Sequence, residues 1–151
     1  MSNLRLVEEV GAPANRVRRL ALDIENTPKL FPQIVSIEML ASPKDSEGLA
    51  AVGTRWRETR RAGFGTARVD LEITAADEDG SFVVSCTAMG ARFDTRFSFV
   101  PLDDRRCRVL MDVRITASGL ISGVMAWLMR GAMAKGLRQD LDSLKRAAEA
   151  A

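Results

Sequence analysis

Residues 119–149, GLISGVMAWLMRGAMAKGLRQDLDSLKRAAE, are predicted to form one long C-terminal helix. In its second half, apolar residues recur at the spacing of a single helix face: Leu137, Leu141, Leu144 and Ala148. The charged residues of this half are predicted to take the opposite face: Arg138, Asp140, Asp142, Lys145 and Arg146. We therefore expect this half of the helix to pack firmly against the rest of the chain.

The first half of the helix has a different character, because no charged residue occurs from Leu120 to Met129. Three methionines spaced four residues apart form one stripe: Met125, Met129 and Met133. Trp127 lies off this stripe and is expected at a cavity mouth or an oligomer surface. Methionine and tryptophan adapt to irregular apolar space. The stripe is predicted to line an apolar cavity, with ordinary core packing as the alternative.

The composition is typical of one globular domain, which we expect to span residues 1–151: 46% of the residues are hydrophobic and 28% are charged. A net charge of +2 and the absence of interleaved basic and aromatic residues argue against a nucleic-acid partner. The longest uncharged stretch lies between Arg114 and Arg130 and includes the end of a predicted strand. It is too short to cross a bilayer, so no transmembrane segment is expected.

Residue types that the chain lacks exclude several kinds of chemistry. It has no histidine, which excludes serine or cysteine catalysis with a histidine base and histidine-ligated metal sites. Cys86 and Cys107 lack the CxxC spacing, and free thiols favour a reduced, cytoplasmic location. We predict that both cysteines are buried and face inward, and that the protein uses no metal and no cofactor.

Upstream of the helix, apolar and polar residues alternate in a series of short segments. A first strand is predicted at residues 4–10, followed by a helix after Pro13 and a short helical turn that ends at Phe31 and Pro32. Six more strands are predicted at residues 34–40, 53–60, 66–75, 81–87, 92–100 and 107–117. Alternation and short connections indicate an antiparallel sheet with one buried face, which the long helix must cover.

Two segments carry a family resemblance: VGAPANRVRRLALDIENTPKLFPQIV at residues 10–35 and GTRWRETR at residues 53–60. With the last two strands and the long helix, they resemble the START-like, Bet v 1-like superfamily (SRPBCC type), which includes polyketide cyclase/dehydrase and lipid-transport proteins. The resemblance implies an α+β helix-grip fold: a seven-stranded antiparallel sheet wrapped around the C-terminal helix, with two short helices after the first strand. It also implies an apolar cavity between the sheet and the helix.

The segment GTRWRETR places three candidate site residues on one strand face: Trp56, Glu58 and Arg60. By alternation this face should point towards the cavity. A carboxylate in such a place must be paired or protonated. We expect Arg60 to pair with Glu58 and to lower its pKa, so that Glu58→Gln costs stability at neutral pH. The pair either anchors a ligand or is a structural pair near the open end of the sheet.

Inward positions on neighbouring strands and the methionine stripe complete the predicted ligand-binding set. Its further members are Val69, Leu71, Phe93, Thr95, Phe97, Met111, Val113, Met125 and Met129. Simple core packing is the alternative for each of them. Gly63-Phe64-Gly65 is predicted to form a turn in which glycine supplies a positive φ, or a flexible hairpin tip at the cavity entrance.

These features favour the binding or transport of a hydrophobic small molecule, such as a lipid, isoprenoid, quinone or polyketide-like compound. One alternative is a polyketide aromatase/cyclase-type enzyme that uses Glu58 and Arg60 for positioning and acid–base chemistry. A second alternative is a protein-interaction module in which the cavity is secondary. The sequence leaves a homodimer open and identifies no catalytic residue.

Overall fold

The computed structural model describes residues 2–88, 90–117 and 123–150, without the side chains at positions 2, 117, 123, 125, 126 and 129. In chain order the elements are β1 (Ser2–Val10), α1 (Ala14–Leu22), a 3-10 helix (Ile24–Asn26), α2 (Thr27–Leu30), β2 (Ile34–Ala41), β3 (Arg55–Ala62), β4 (Gly65–Ala76), β5 (Phe82–Ala88), β6 (Ala91–Asp103), β7 (Arg106–Ala117) and α3 (Gly123–Glu149). The predicted beginning of the long helix, at residues 119–122, lies outside the described residues.

The seven strands form one sheet in the order β1-β7-β6-β5-β4-β3-β2. Every neighbouring pair is antiparallel. Strands β2 to β7 follow one another as hydrogen-bonded neighbours, and β1 joins the sheet by pairing with β7. The predicted α+β fold, with its seven antiparallel strands and its two short helices after the first strand, is confirmed.

Alternating apolar and polar residues in the sequence correspond to alternating buried and exposed side chains on the strands. In β7, Val109 and Met111 are buried, whereas Arg108 between Cys107 and Val109 is exposed. Buried positions on neighbouring strands lie opposite each other, as Phe99 of β6 does with Val109. The resulting apolar side of the sheet faces α3 and is the inner face of the sheet.

The second half of α3 packs on the body of the protein as the apolar stripe predicts. Leu141, Leu144 and Ala148 are buried and belong to the main core. The backbone N–H of Gly11 donates a hydrogen bond to Glu149 Oε2 across 2.7 Å. This bond places the C-terminal end of α3 beside the end of β1.

Two basic residues of α3, Arg138 and Lys145, form ion pairs with β1. Glu8 lies on the same side of β1 as Leu6 and accepts hydrogen bonds from Arg138 Nη1 at 3.1 Å and Lys145 Nζ at 3.0 Å. Both basic side chains are half-buried in these ion pairs. Part of the charged side of α3 is therefore covered, because edge strand β1 presents a carboxylate towards it.

The first half of α3 exposes most of its described apolar side chains. Val124, Trp127 and Leu128 are exposed, Trp127 to 72%. Arg130 Nη2 donates to the backbone oxygen of Asn3 at 3.0 Å, so this half runs beside the beginning of β1. The exposure of Trp127 agrees with a position at a cavity mouth or an oligomer surface. In the described part of the chain, no helix has both the length and the apolar character that crossing a membrane requires.

Leu141→Ala is expected to lower the free energy of unfolding by about 2–5 kcal/mol, because this side chain is almost fully buried in the main core and its loss leaves a cavity. Leu128→Ala removes the same atoms from the exposed half of the helix and is the control. Chemical denaturation followed by circular dichroism measures both. Equal losses in the two variants would contradict the packing of α3 through its second half.

Candidate functional site

The register of the sheet brings predicted site residues together on the inner face. Trp56 of β3 lies opposite Leu71 of β4, and Leu71 lies opposite Cys86 of β5. Cys86 pairs in turn with Phe93 of β6. Residues that are far apart in the sequence therefore form one continuous row across the inner face.

Glu58 is a buried carboxylate next to this row, with only 6% of its surface exposed. Trp56 Nε1 donates to Glu58 Oε1 across 3.4 Å, and Arg60 Nη1 donates to Glu58 Oε2 across 3.1 Å. Trp56 is 4% exposed, and the Arg60 side chain retains 27% exposure. The predicted inward orientation of these three residues and the predicted Glu58–Arg60 pair are confirmed.

Asp140 of α3 adds a second carboxylate, which the sequence interpretation placed on the helix face opposite the apolar stripe. Arg60 Nη2 donates to Asp140 Oδ1 across 2.7 Å, and the Asp140 side chain is only 17% exposed. That interpretation is wrong. The helical spacing indicates the correct side, because Asp140 lies three residues after Leu137 and four before Leu144, within the apolar stripe. Glu58, Arg60 and Asp140 together form the Arg60 cluster.

Burial controls the protonation of both carboxyl groups in the Arg60 cluster. Desolvation raises the pKa of Glu58 above its ordinary value, although the charge of Arg60 and the hydrogen bond from Trp56 oppose the increase. Desolvation also raises the pKa of Asp140 against the opposing effect of Arg60. The expectation that pairing lowers the Glu58 pKa is wrong, because one guanidinium is shared between two carboxylates and burial outweighs its charge.

Arg60 itself remains charged. Burial alone lowers its pKa, but the hydrogen bonds to Asp140 and Glu58 and the negative charges of both give a net increase in the Arg60 pKa. The cluster thus combines a permanent cation with two carboxyl groups that hold protons more tightly than in water. Such an arrangement can bind a carbonyl or anionic oxygen and can exchange a proton with it.

The two cysteines are free and face inward as predicted, Cys107 fully buried and Cys86 partly so. Burial, and to a smaller extent the charge of Glu58, raises the pKa of Cys86 to about 11. Cys86 is therefore a neutral thiol near pH 7, without the thiolate that nucleophilic chemistry requires. Among the described residues, no group of three or more cysteine and carboxylate side chains could hold a metal ion.

The predicted wall residues that the structure describes are all buried or half-buried: Val69, Leu71, Phe93, Thr95, Phe97, Met111 and Val113. Phe93 and Val113 form a small cluster on which the side chains of Met133 and Leu137 from α3 pack. Met133 is thus core packing at its end of the methionine stripe. The side chains of Met125 and Met129 lie outside the described residues, and their contact with a ligand stays a prediction.

Open pockets formed by the described residues include two of similar volume. One of about 420 Å³ lies beside the first half of α3, between Leu4 of β1 and the helix residues Trp127 and Leu128. The other, of about 460 Å³, lies over β3 to β6 and is lined largely by polar residues such as Arg55 and Glu72. Neither pocket is lined by a member of the Arg60 cluster. The internal cavity predicted from the sequence therefore remains a prediction.

The sequence matches a family model over almost its whole length. The model of the family described as polyketide cyclase / dehydrase and lipid transport matches residues 1–149. The chain belongs to this family. The resemblance noted in the sequence is confirmed by this match, which covers both the segment at residues 10–35 and the long helix. No curated protein sequence matches the chain.

Solved structures share the fold at low sequence identity. Zhui aromatase/cyclase from Streptomyces sp. R1128 is 15% identical with a TM-score of 0.80, over 98% of this chain and 93% of that one. A START superfamily protein from Mycobacterium smegmatis is 18% identical with a TM-score of 0.74, over 96% and 97% of the two chains. Norcoclaurine synthase from Thalictrum flavum, in complex with dopamine and hydroxybenzaldehyde, is 14% identical with a TM-score of 0.73, over 97% and 85%. These likenesses confirm the helix-grip fold and, at such identities, show nothing further.

The raised pKa of Glu58 determines how its contribution to stability changes with pH. Because the folded-state pKa lies above the unfolded-state value, ionisation of Glu58 reduces stability as pH rises from the unfolded-state pKa to the folded-state pKa. Glu58→Gln keeps the shape and stays neutral, so it should gain stability relative to the parent as pH rises through this window. Chemical denaturation at intervals between about pH 4 and 8 measures the difference.

Glu47→Gln is the control for this experiment, because Glu47 is exposed and lies far from the Arg60 cluster in the β2–β3 connection. A Glu58→Gln protein that loses stability relative to the parent with rising pH would show that pairing with Arg60 outweighs burial. In that case the cluster would be an ordinary stabilising ion pair.

Proposed function

We propose that the protein binds a hydrophobic small molecule, of the lipid, isoprenoid, quinone or polyketide-like class, between the inner face of the sheet and α3. The observation that carries the proposal is the Arg60 cluster, a charged group buried beside Trp56 on a largely apolar face. Burying charged groups costs free energy that apolar residues of similar volume would not cost. Such a cluster is suited to the polar end of an otherwise apolar ligand.

The atoms of the cluster support this role. The Arg60 side chain keeps 27% exposure while it donates to Glu58 and Asp140, so it still has N–H groups for a ligand oxygen. Glu58 in its protonated form can donate a hydrogen bond to a carbonyl oxygen. Val69 and Leu71 on the neighbouring strand provide apolar surface for the remainder of the ligand.

The family and the structural neighbours support the same ligand class. The family description covers polyketide cyclase/dehydrase and lipid transport, both of which handle compounds with large apolar parts. One neighbour of the same fold is named an aromatase/cyclase, and another was solved with dopamine and hydroxybenzaldehyde. A partly apolar ligand with a few polar groups fits all of these descriptions.

A second candidate is an aromatase/cyclase-type enzyme, which the raised pKa values of Glu58 and Asp140 favour. A carboxyl group whose pKa moves towards neutrality can act as a general acid or base, and a neighbouring guanidinium can stabilise negative charge that develops on oxygen. The two candidates differ in their dependence on one residue. Glu58→Gln should abolish turnover by an enzyme, whereas a carrier should keep its capacity to bind.

Binding between the inner face and α3 is tested with Val69→Trp, which reduces the space available to a ligand there. The variant is expected to weaken the binding of an uncharged, environment-sensitive apolar dye by about tenfold, because a large side chain occupies the space beside Glu58. Val100→Trp makes the same substitution at an exposed position of β6 and is the control. Fluorescence titration measures the affinities. Absence of dye binding by the parent, or equal affinities of the two variants, would contradict the proposed site.

Recognition of a polar end is tested by comparing a long-chain acid with the alcohol of equal length. The parent should prefer the acid, and Arg60→Met should reduce that preference about tenfold, because a charge-assisted hydrogen bond is lost. Arg57→Met removes an arginine from the exposed Arg57–Asp70 pair and is the control. An unchanged preference in Arg60→Met would remove Arg60 from the site. Native mass spectrometry of protein purified from its own host would weigh any retained ligand.

A further inference from the structure

The antiparallel order of the strands places alternate connections at opposite ends of the sheet. One end carries the β3–β4 and β5–β6 connections, the beginnings of β1 and β2 and the end of β7. Helix α3 begins after β7 at this end, and its last residue Glu149 bonds Gly11 at the other end. We call this end of the sheet the basic end. Its described residues are 2–7, 27–36, 59–69, 86–88, 90–93, 113–117 and 123–135.

Charge is distributed very unevenly between the two ends. The segments of the basic end contain no aspartate or glutamate, and all of their charged residues are basic: Arg5, Lys29, Arg60, Arg61, Arg68, Arg92, Arg114, Arg130 and Lys135. At the opposite end, the β4–β5 connection contains Asp77, Glu78 and Asp79 and no basic residue. Three of these residues, Arg5, Arg60 and Arg92, pair with acids that lie next to the segments, and the other six give this end a positive charge that the small net charge of the chain, +2, conceals.

Several basic residues of this end are free to bind an external anion. Arg61 and Arg68 are exposed, and neither forms an ion pair with any residue that the structure describes. Arg61 Nε donates only to the backbone oxygen of Pro32, at 3.3 Å. Arg57 of β3, by contrast, is paired with Asp70 at 2.8 Å. Arg61 and Arg68 are thus available to an external anion, whereas Arg5 and Arg92 of the same end are paired with Asp112 and Asp94.

The basic end also exposes large apolar side chains. Phe64 is fully exposed at the tip of the β3–β4 hairpin, where Gly63 has the positive φ of 56° that the turn was predicted to need. On α3, Trp127 and Leu128 are exposed beside the pocket that Leu4 helps to line. A single exposed apolar residue is ordinary on a protein surface, but several large ones at the same end as exposed arginines are typical of a surface that contacts the boundary of an apolar phase.

We propose that the basic end docks on the surface of an anionic lipid bilayer. Phe64 and Trp127 enter the boundary between headgroups and acyl chains, and Arg61, Arg68 and Arg130 bind lipid phosphates. Charge complementarity selects this occupant, because a bilayer surface offers anionic phosphates directly above an apolar layer. Nucleic acid offers phosphates, but it has no apolar layer to accept the aliphatic side chain of Leu128. Docking is independent of the proposed ligand site and goes beyond it.

The proposal is tested by flotation with vesicles of phosphatidylcholine, with and without about a third of phosphatidylglycerol. The parent protein should bind the anionic vesicles and not the neutral ones, and salt should weaken the binding. Arg61→Gln combined with Arg68→Gln should reduce the partition coefficient about 25-fold, since each basic residue near an anionic surface contributes about fivefold. Phe64→Ala should reduce it on the order of tenfold.

Matched controls lie at the opposite end of the sheet. Arg105→Gln combined with Arg108→Gln removes the same charge from two exposed arginines in or beside the β6–β7 turn, and Leu102→Ala removes an exposed apolar side chain there. Both should bind anionic vesicles like the parent. A separate readout is tryptophan emission, which should shift to shorter wavelength on vesicle binding in the parent. The shift should be absent in Trp127→Phe, whose remaining Trp56 is already buried.

Several results would overturn the proposal. The first is failure of the parent protein to float with anionic vesicles, and the second is equal binding of the parent to neutral and anionic vesicles. The third is a loss of binding in the control double variant as large as that in Arg61→Gln combined with Arg68→Gln. Light scattering that shows a dimer disrupted by Trp127→Phe would assign the surface to a second copy of the chain. Binding to a short nucleic acid that matches the vesicle affinity and requires Phe64 would assign it to that partner instead.

Discussion

The sheet has one apolar face that must be removed from water, and α3 covers that face mainly with its second half. Leu141 and Leu144 join the main core, and Leu137 reaches both that core and the small cluster around Phe93. The hydrophobic free energy of these contacts fixes the direction of the helix across the sheet. The exposed first half of α3, with Trp127, is left available for another role.

This placement of α3 also creates the Arg60 cluster. Asp140 lies between the apolar residues of the helix stripe, so docking of the stripe carries its carboxylate to the inner face beside Arg60. Two carboxylates then share one guanidinium in a poorly solvated place, and desolvation prevails over attraction. The cluster is therefore unlike an exposed ion pair such as Arg57–Asp70, whose members remain hydrated.

The two ends of the molecule differ in charge because successive connections of an antiparallel meander lie at alternate ends of the sheet. Acidic turns such as residues 77–79 fall at one end, while the hairpin around Phe64 and the beginning of α3 fall at the other. The same end would give a ligand access to the space beside the Arg60 cluster, since Arg60 lies opposite Ala67 near the β3–β4 turn. A positive, partly apolar surface and a buried polar cluster therefore occupy neighbouring parts of one fold.

The sequence by itself determined the strands, the antiparallel meander of β2 to β7 and the inward face of β3 to β7, because the period of two is local and the connections are short, whereas the pairing of β1 with β7 appeared only in the tertiary structure. It also determined that Trp56, Glu58 and Arg60 point inward together. The helical spacing places Asp140 on the side of the apolar stripe, but only the tertiary structure decided that this side meets Arg60, that Glu8 pairs with Arg138, and that the Glu58 pKa rises. Each of these depends on which surfaces α3 meets and on how much water remains around a charge, and neither quantity is encoded in the spacing of neighbouring residues.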